Sequence, residues 1–441
     1  MTSFDTDSLS TLIEQTLARA KKAGVTAEIH AHLEQGFSAQ ARMRQSENLE
    51  YNQDNDLTIT VYAGQQQGSV STSDLRAEAL ADAMDTAIRM ARYAQPDPAA
   101  GLASADLLAK KTLPIDCYFP WDITPTVAMQ LAIDCDTQGL AFDPRISNSE
   151  GASVSTHQML TLYGNTDDFL GHYRRTRHSI SSVLVAEANK QMQRDYYYFT
   201  AVDHTDLPSI KTIADTAARN TVQRLAPRII KTQTAPVIFA ADMARGLLGN
   251  FVKAISGGAL YRQSSFLLDR LNQEIFPTWF NLDEQPHLSR ALGSAPFDNN
   301  GLATYDKKII DQGVLTTYAL DVYAARKLNM QPTANAGGIH NLVVTSGDKS
   351  LADLLKQMDT GLLVTEIMGH GASIVTGDYS QGAAGFWVEN GEIQYPVAEI
   401  TIAGNLLEMF KNIIAVANDV DVRGNIRTPS VLISQMMIGG E

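Results

Sequence analysis

The stretch GLLVTEIMGHGASIVTGDYSQGAAGFWVENGEIQYPV, residues 361–397, sets how the rest of the chain is read. Residues 362–367 form a short apolar run rich in β-branched side chains. Gly369-His370-Gly371 interrupts it. Residues 372–388 then alternate small, polar and aromatic side chains and run into Glu389-Asn390-Gly391-Glu392. Asn-Gly between two strand-like runs predicts a two-residue hairpin, because both central residues of a type I′ turn need positive φ. The stretch therefore predicts β-structure with a glycine-rich gap. Glycine in a strand admits the close approach of another backbone. Such a gap either holds an extended peptide or bends the sheet, and the residues leave both readings open.

Upstream of it, 235–240 reads as a strand and 243–255 as a helix, with Met243, Leu247, Leu248, Phe251, Val252 and Ile255 on one stripe. Gly257-Gly258 is expected to end that helix, and 261–276 to contain another. Strands over 302–310 and 313–320 make a hairpin around Asp311-Gln312-Gly313. A short helix follows over 322–328, then a glycine-rich turn at 335–338, a strand over 342–345 and a capped helix over 350–358. Downstream come a strand over 398–402, a helix over 405–410, and strands over 413–417 and 430–436. Many short strands with brief helices predict a β-barrel-like domain.

Toward the N-terminus the pattern changes. Leu9, Leu12, Ile13, Leu17 and Ala20 recur at helical spacing within 7–23, and Gly24 stops the helix. Strands are expected over 27–33, 37–44, 48–53, 57–62 and 68–72, then a helix over 75–93 capped by Ser73 or Asp74. Beyond proline-broken loops at 95–100 and 114–125, Thr124 caps a helix over 126–139. Strands follow over 147–156, 159–163, 169–179, 181–186 and 196–199, and a helix over 206–226 with Pro208 near its start. Helices flanking runs of strands point to an antiparallel sheet covered on one face. The fold class is thus α+β: an N-terminal antiparallel sheet with helices over 1–227, a linker at 228–234, and a C-terminal β-barrel-like domain with short helices over 235–441.

A length of 441 residues is too much for one ordinary core, and 44% hydrophobic with 19% charged residues is a globular composition. Against 35 basic side chains stand 49 acidic ones, a net charge of -14 that repels phosphate backbones and argues against direct nucleic-acid binding. The densest basic cluster, Arg174-Arg175-x-Arg177, reads as a solvated strand face. Cys117 and Cys135, without a Cys-x-x-Cys, read as two reduced thiols and exclude a zinc knuckle. Residues 1–10 lack a basic n-region and an apolar h-region, and no apolar run approaches a membrane span. A cytoplasmic protein with no membrane partner is expected.

Chemistry-bearing motifs are scarce. His-Glu-x-x-His, Gly-x-Ser-x-Gly and a Walker loop are all absent. His30 and His32 lie two apart and would share one face of a strand, as two metal ligands or as an edge. His370 between glycines would be exposed enough for acid–base work, or would hydrogen-bond backbone at a bulge. Asp378, Asp419 and Asp421 form a carboxylate set or lie in ordinary acidic loops. The residues alone provide no nucleophile, metal set or cofactor loop.

Several segments do carry a resemblance. Residues 242–257, the core TGDYSQGAAGFWVENGEI (376–393), 400–410, Val416-Ala417-Asn418-Asp419, 48–75 and 139–151 resemble the TldD/PmbA family (peptidase U62 type), closest to its PmbA (TldE) branch. The resemblance covers nearly the whole chain. It implies two paralogous subunits in a heterodimeric cytoplasmic zinc metalloprotease. The substrates it implies are largely unfolded peptides, among them a microcin precursor in maturation and an antitoxin. The TldD branch carries a His-Glu-x-x-x-His helix and a later cysteine as metal ligands. At the matching positions this chain has Gly249, Asn250 and Ala254, and no cysteine follows Asp419. Glycine and alanine cannot ligate zinc, and asparagine cannot replace the carboxylate that activates water.

The resemblance thus implies a subunit with no metal ligand and no catalytic residue of its own, which shapes the substrate chamber. Zinc is expected on the TldD-type partner and no cofactor in this chain. The partners are that subunit and unfolded peptides, with a homodimer as a state open to the chain alone. Substrate is expected to add as a strand to an exposed sheet edge, with Gly369, His370, Gly371, Tyr379, Ser380, Gln381 and Gly382 as contact residues. One alternative is a non-enzymatic regulator of gyrase, as older family names have it, or of a toxin–antitoxin pair. Another is an independent hydrolase using His370 with Asp378.

Overall fold

The structure, a computed structural model, describes residues 4–110 and 113–441. Helix α1 (Thr6–Lys22) begins where the Asp5 carboxylate accepts from the Ser8 N–H at 3.0 Å, and it buries Leu9, Ile13, Leu17 and Ala20. Strands β1 (Thr26–Arg42), β2 (Gln45–Ala63) and β3 (Gln66–Thr72) follow, then α2 (Ala77–Tyr93) and α3 (Pro125–Ala141). Thr124 caps α3 as expected, accepting from the Val127 N–H at 3.3 Å. Then come β4 (Ile146–Asn165), β5 (Leu170–Ala188), β6 (Gln191–Ala201), a 3-10 turn at His204–Asp206, and α4 (Ile210–Gln223).

The six strands form one antiparallel sheet in the order β3-β2-β1-β4-β5-β6. All four helices lie on one face, over Ile29, Phe37, Val154, Leu162 and Ile180. That leaves His30 and His32, His157 and Thr161, and Arg175 and Arg177 on the other face, because side chains alternate along a strand.

Several expectations are corrected here. The five strands expected over 27–72 are three long ones, and the five over 147–199 are three more. The breaks expected at 34–36, 54–56, 157–158 and 180 fall inside continuous ladders. The turns joining these strands also use Met43-Arg44 and Asn189-Lys190 at positive φ, in place of glycine pairs. Neither Ser73 nor Asp74 caps α2. Asp74 instead accepts from the N–H and guanidinium of Arg76. Helix α4 starts after Pro208, with Ser209 as cap, because a residue before proline is disfavoured in helix.

In the C-terminal half, β7 (Gln233–Phe239) leads into α5 (Ala241–Ala254) and α6 (Gly257–Tyr261). Next are β8 (Leu282–Glu284), β9 (Lys307–Asp311), β10 (Val314–Leu315), α7 (Val322–Lys327), β11 (Leu342–Val344) and α8 (Leu351–Met358). The opening stretch supplies β12 (Gly361–Met368), β13 (Asp378–Glu389) and the start of β14 (Glu392–Asn405). The chain continues with α9 (Leu406–Lys411), β15 (Ile413–Val416), β16 (Ile426–Arg427) and β17 (Val431–Gly439). Asn390 and Gly391 have φ of 55° and 73°, the expected type I′ hairpin.

The sheet order is β14-β13-β12-β7-β17-β15, and β14 also pairs with β17, from Thr401↔Gly439 to Ala403↔Met437. Five strands thereby close into a barrel, so the α+β class with a barrel-like second half holds. A smaller sheet, β10-β9-β8-β11-β16, adjoins it. The main core gathers Val237, Phe239, Phe251, Phe276, Phe410 and Ile433. Helix α5 ends at Ala254, just before Gly257-Gly258, and that pair opens α6, where a Cβ on Gly257 would sit 2.4 Å from that of Ala324. Residues 262–276 form turns and no helix.

Candidate functional site

The site is built on β12. Its parallel pairing with β7 ends at Val364↔Phe239, because the chain turns into α5 there and the Ala240 N–H donates to the Val364 carbonyl at 3.1 Å. The ladder to β13 on the other side is bulged between Val364 and Glu366. From Thr365 to Met368, therefore, one edge of β12 has no strand neighbour. Between that edge and α5 runs a groove of two hollows, about 570 and 390 Å³, which share Asp242, Met243 and Ile367. The buried Thr365 hydroxyl beside it has no hydrogen-bond partner.

Gly369, His370, Tyr379 and Gln381 line the smaller hollow together with Asn250 and Lys253. His370 is exposed there. Tyr379 is mostly core: its ring meets Phe239 edge-on at 6.5 Å, and burial pushes its hydroxyl pKa up. Gly371, Ser380 and Gly382 do not line the groove. Gly371 lies back-to-back with Ser380, whose N–H donates to its carbonyl at 2.8 Å, and a Cβ there would sit 1.6 Å from the Ser380 oxygen. Gly382 sits in the ladder opposite Met368.

The acidic candidates are dispersed. Asp378 accepts from Thr376 Oγ1 at 2.7 Å, Asp419 from Ser430 Oγ at 2.7 Å, and Asp421 from Arg423 Nε at 2.8 Å. No hydrogen bond joins His370 to Asp378 among the described residues, so the pair needed for an independent hydrolase is not assembled.

The positions matching the metal helix do not fit a metal. Gly249 faces open space, Asn250 donates its amide to the Gly246 carbonyl at 3.2 Å, and Ala254 is sealed in the core. Among the described residues no three His, Cys, Asp or Glu side chains come together as a ligand set.

Charge pairs organise the groove, and those of Arg224 with Asp195 and Glu366 and of Arg423 with Asp242 join residues far apart in the sequence. Arg423 reaches Asp421 and, at 3.7 Å, Asp242, and its guanidinium lies 4.7 Å over the Tyr198 ring. Burial acts to raise the Asp421 pKa, but the Arg423 hydrogen bonds outweigh it and hold it below the ordinary value. At Asp242 burial wins over Arg423 and the pKa is raised. Arg224 links Asp195, at 3.3 Å, to Glu366 on β12. The larger hollow adds an apolar lining of Tyr197, Phe199, Met243 and Phe386. Such a groove can accept an extended chain by backbone pairing along β12, with apolar side chains taken up beside it.

Comparison with known proteins agrees with this architecture. Three family models match in succession: PmbA/TldA metallopeptidase domain 1 over residues 27–91, the central domain over 118–225, and the C-terminal domain over 232–440. The chain is 46% identical to Metalloprotease PmbA of Escherichia coli O157:H7 over 435 residues, covering 99% of this chain and 96% of that protein. A crystal structure from Bacteroides thetaiotaomicron, named as a proposed modulator of DNA gyrase, superposes with a TM-score of 0.93 at 28% identity. It covers 99% of this chain and all of that one. TldE from Thermococcus kodakarensis shares the fold, with a TM-score of 0.86 at 18% identity over 97% of this chain and 100% of that one. With family models spanning both halves and a near-full-length relative at this identity, the chain belongs to the TldD/PmbA metallopeptidase family, in its PmbA branch.

Proposed function

We propose that this chain is the PmbA-type (TldE-type) subunit of a heterodimeric zinc metalloprotease. In this reading a TldD-type partner carries the metal and the hydrolytic step, and the present chain holds unfolded peptide for it. A microcin precursor and an antitoxin are the substrates the family resemblance implies. The observation that carries the reading is the open β12 edge from Thr365 to Met368 beside a helix whose Gly249, Asn250 and Ala254 offer no ligand set. A free edge supplies backbone donors and acceptors to any sequence, which suits a site for unfolded chains of varied composition. Zinc would need nitrogen, sulfur or carboxylate donors that these three side chains do not supply.

The test is to purify the chain alone and with a TldD-type partner, then measure bound zinc and cleavage of an unstructured peptide. Zinc and cleavage are expected only in the mixture. Stoichiometric zinc with proteolysis by this chain alone would overturn the reading. Recovery of gyrase in place of a TldD-type chain in a pull-down would favour the regulator.

A further inference from the structure

Another cavity, about 870 Å³, lies between the helix-free face of the N-terminal sheet and loops of the C-terminal half. That volume is in the range of small-molecule sites. Its floor carries His30 and His32 from β1, His157 from β4, and Arg175 and Arg177 from β5. The basic cluster Arg174-Arg175-x-Arg177, expected as a solvated face, is therefore divided by strand alternation. Arg174 turns to the helix side and donates to the Phe4 carbonyl at 2.9 Å, while Arg175 and Arg177 face the cavity.

Arg175 is half-buried and, among the described residues, has no carboxylate within ion-pair distance. Its Nη1 reaches only the Leu292 carbonyl at 3.4 Å, its guanidinium lies 5.5 Å from the Tyr173 ring centroid, and its buried Nε has no acceptor. His30 shares that floor, where burial holds its pKa below the ordinary value. Buried donors left unmatched cost on the order of 1–3 kcal/mol each, and such groups mark a place where an acceptor is to be supplied.

The acids nearby leave Arg175 uncompensated. Glu34 on β1 is taken up by His157 Nδ1 at 2.8 Å and Arg177 at 3.3 Å. Asp298 spends its oxygens on the backbone N–H groups of Asn300, Leu302 and Ala336, each at 2.9 Å. Asp56 is on β2, three strand spacings from β5, about 14 Å away.

The roof is fixed in advance. Gly337 and Gly338, at φ of 92° and 113°, form a strap over the cavity. Fully buried Glu284 anchors it, accepting from the His340 N–H at 2.7 Å and Asn335 Nδ2 at 2.8 Å, and pairing with Lys307 at 2.8 Å. A Cβ on Gly338 would meet nothing within 4 Å, so ligand atoms can approach that backbone.

We propose that this cavity binds an oxyanion, the carboxylate or phosphate of a molecule the size of a dipeptide or a mononucleotide, with Arg175 as its principal partner and Arg177 beside it. Arg presents a planar fork suited to either group. Phe297 and Tyr173, which meet edge-on at 5.3 Å, wall the space for the ligand's body.

The experiment is calorimetric titration of the full chain with N-acetyl-dialanine, its C-terminal amide, and adenosine monophosphate. One of the two acidic probes is expected to bind with a stoichiometry of one, and the amide not to bind. Whichever acid binds identifies the source of the oxyanion. Arg175→Gln should weaken binding by about tenfold or more, and Arg175→Lys should retain part of it. Should Arg175→Gln fail to fold, as judged by circular dichroism, Arg177→Gln provides the reading. The site is refuted if neither acid binds more tightly than about 1 mM, if the amide binds equally well, or if every folded variant binds like the parent.

Discussion

Single residues decide more here than their chemistry suggests. Gly249 and Gly385 are both glycines in regular structure with opposite tolerances. Gly249 lies in α5 with nothing within 4 Å of an added Cβ, so Gly249→Ala should stabilise by about 1 kcal/mol through helix propensity, seen as a higher urea midpoint. Gly385 would place a Cβ 1.9 Å from the Leu363 carbonyl oxygen, so Gly385→Ala should cost about 3 kcal/mol by the same measurement. His178 sets a pH dependence. Its Nε2–H donates to the Phe119 carbonyl at 2.9 Å and its Nδ1 accepts from Thr156 Oγ1 at 2.9 Å, which assigns the neutral tautomer. Burial pushes its pKa down to about 4. The unfolded chain, with an ordinary histidine pKa near 6.5, then binds the proton first, and stability is lost as pH falls from about 6.5 toward 4, by on the order of 2–3 kcal/mol. Asp298, pushed up to about 6 by burial, works in the opposite sense over the same range. The comparison is therefore urea unfolding at several pH values against His178→Asn, whose profile should be flatter. Legibility at this scale was uneven. His370 was readable as an exposed residue because glycines flank it, whereas the pairs of Arg224 with Asp195 and Glu366 and of Arg423 with Asp242 join residues far apart in sequence that no local pattern reveals.

Among the elements, helices were the most legible, because one apolar stripe per helix faces one core. Strands were less so. The breaks expected at 34–36 in β1, at His157-Gln158 in β4 and at Ile180 in β5 all fall inside continuous ladders. The outer part of β2, from Gln45 to Asp56, is exposed on nearly all its positions, so no alternation marks it as a strand. The closing hairpin was legible because Asn390-Gly391 admits one turn geometry. The open edge of β12 was not, since only the place where β7 bends away creates it. At saturating unstructured peptide, amide exchange at residues 365–368 should slow by about tenfold, while the already paired 382–384 should hardly change, measured by hydrogen–deuterium exchange. Equal slowing at both would argue for general tightening rather than strand addition.

For the molecule as a whole, the ties that join the halves include Arg224 between Asp195 and Glu366, Lys327 to Asp97 at 2.9 Å, and Arg423 to the Tyr198 carbonyl at 3.1 Å. Arg224→Met would leave Asp195, whose pKa burial already raises, without its cation. A loss of about 2–3 kcal/mol is expected, less than for a fully buried pair because the Glu366 side chain is 34% exposed. Faster cleavage by trypsin near 228–234 should accompany it. Closure of the barrel has a consequence for how the protein is made. Strand β17 pairs with β7 along one edge and with β14 and β15 along the other, so the ring has no complete form until residue 439 has left the ribosome. About 190 residues separate the end of β7 from the start of β17, roughly ten to forty seconds of translation at ordinary rates. Through that interval β7 waits without its β17 neighbour. A nascent chain stalled before β17 is thus a natural client for a holding chaperone, while the N-terminal sheet, whose last strand ends at Ala201, can already have folded.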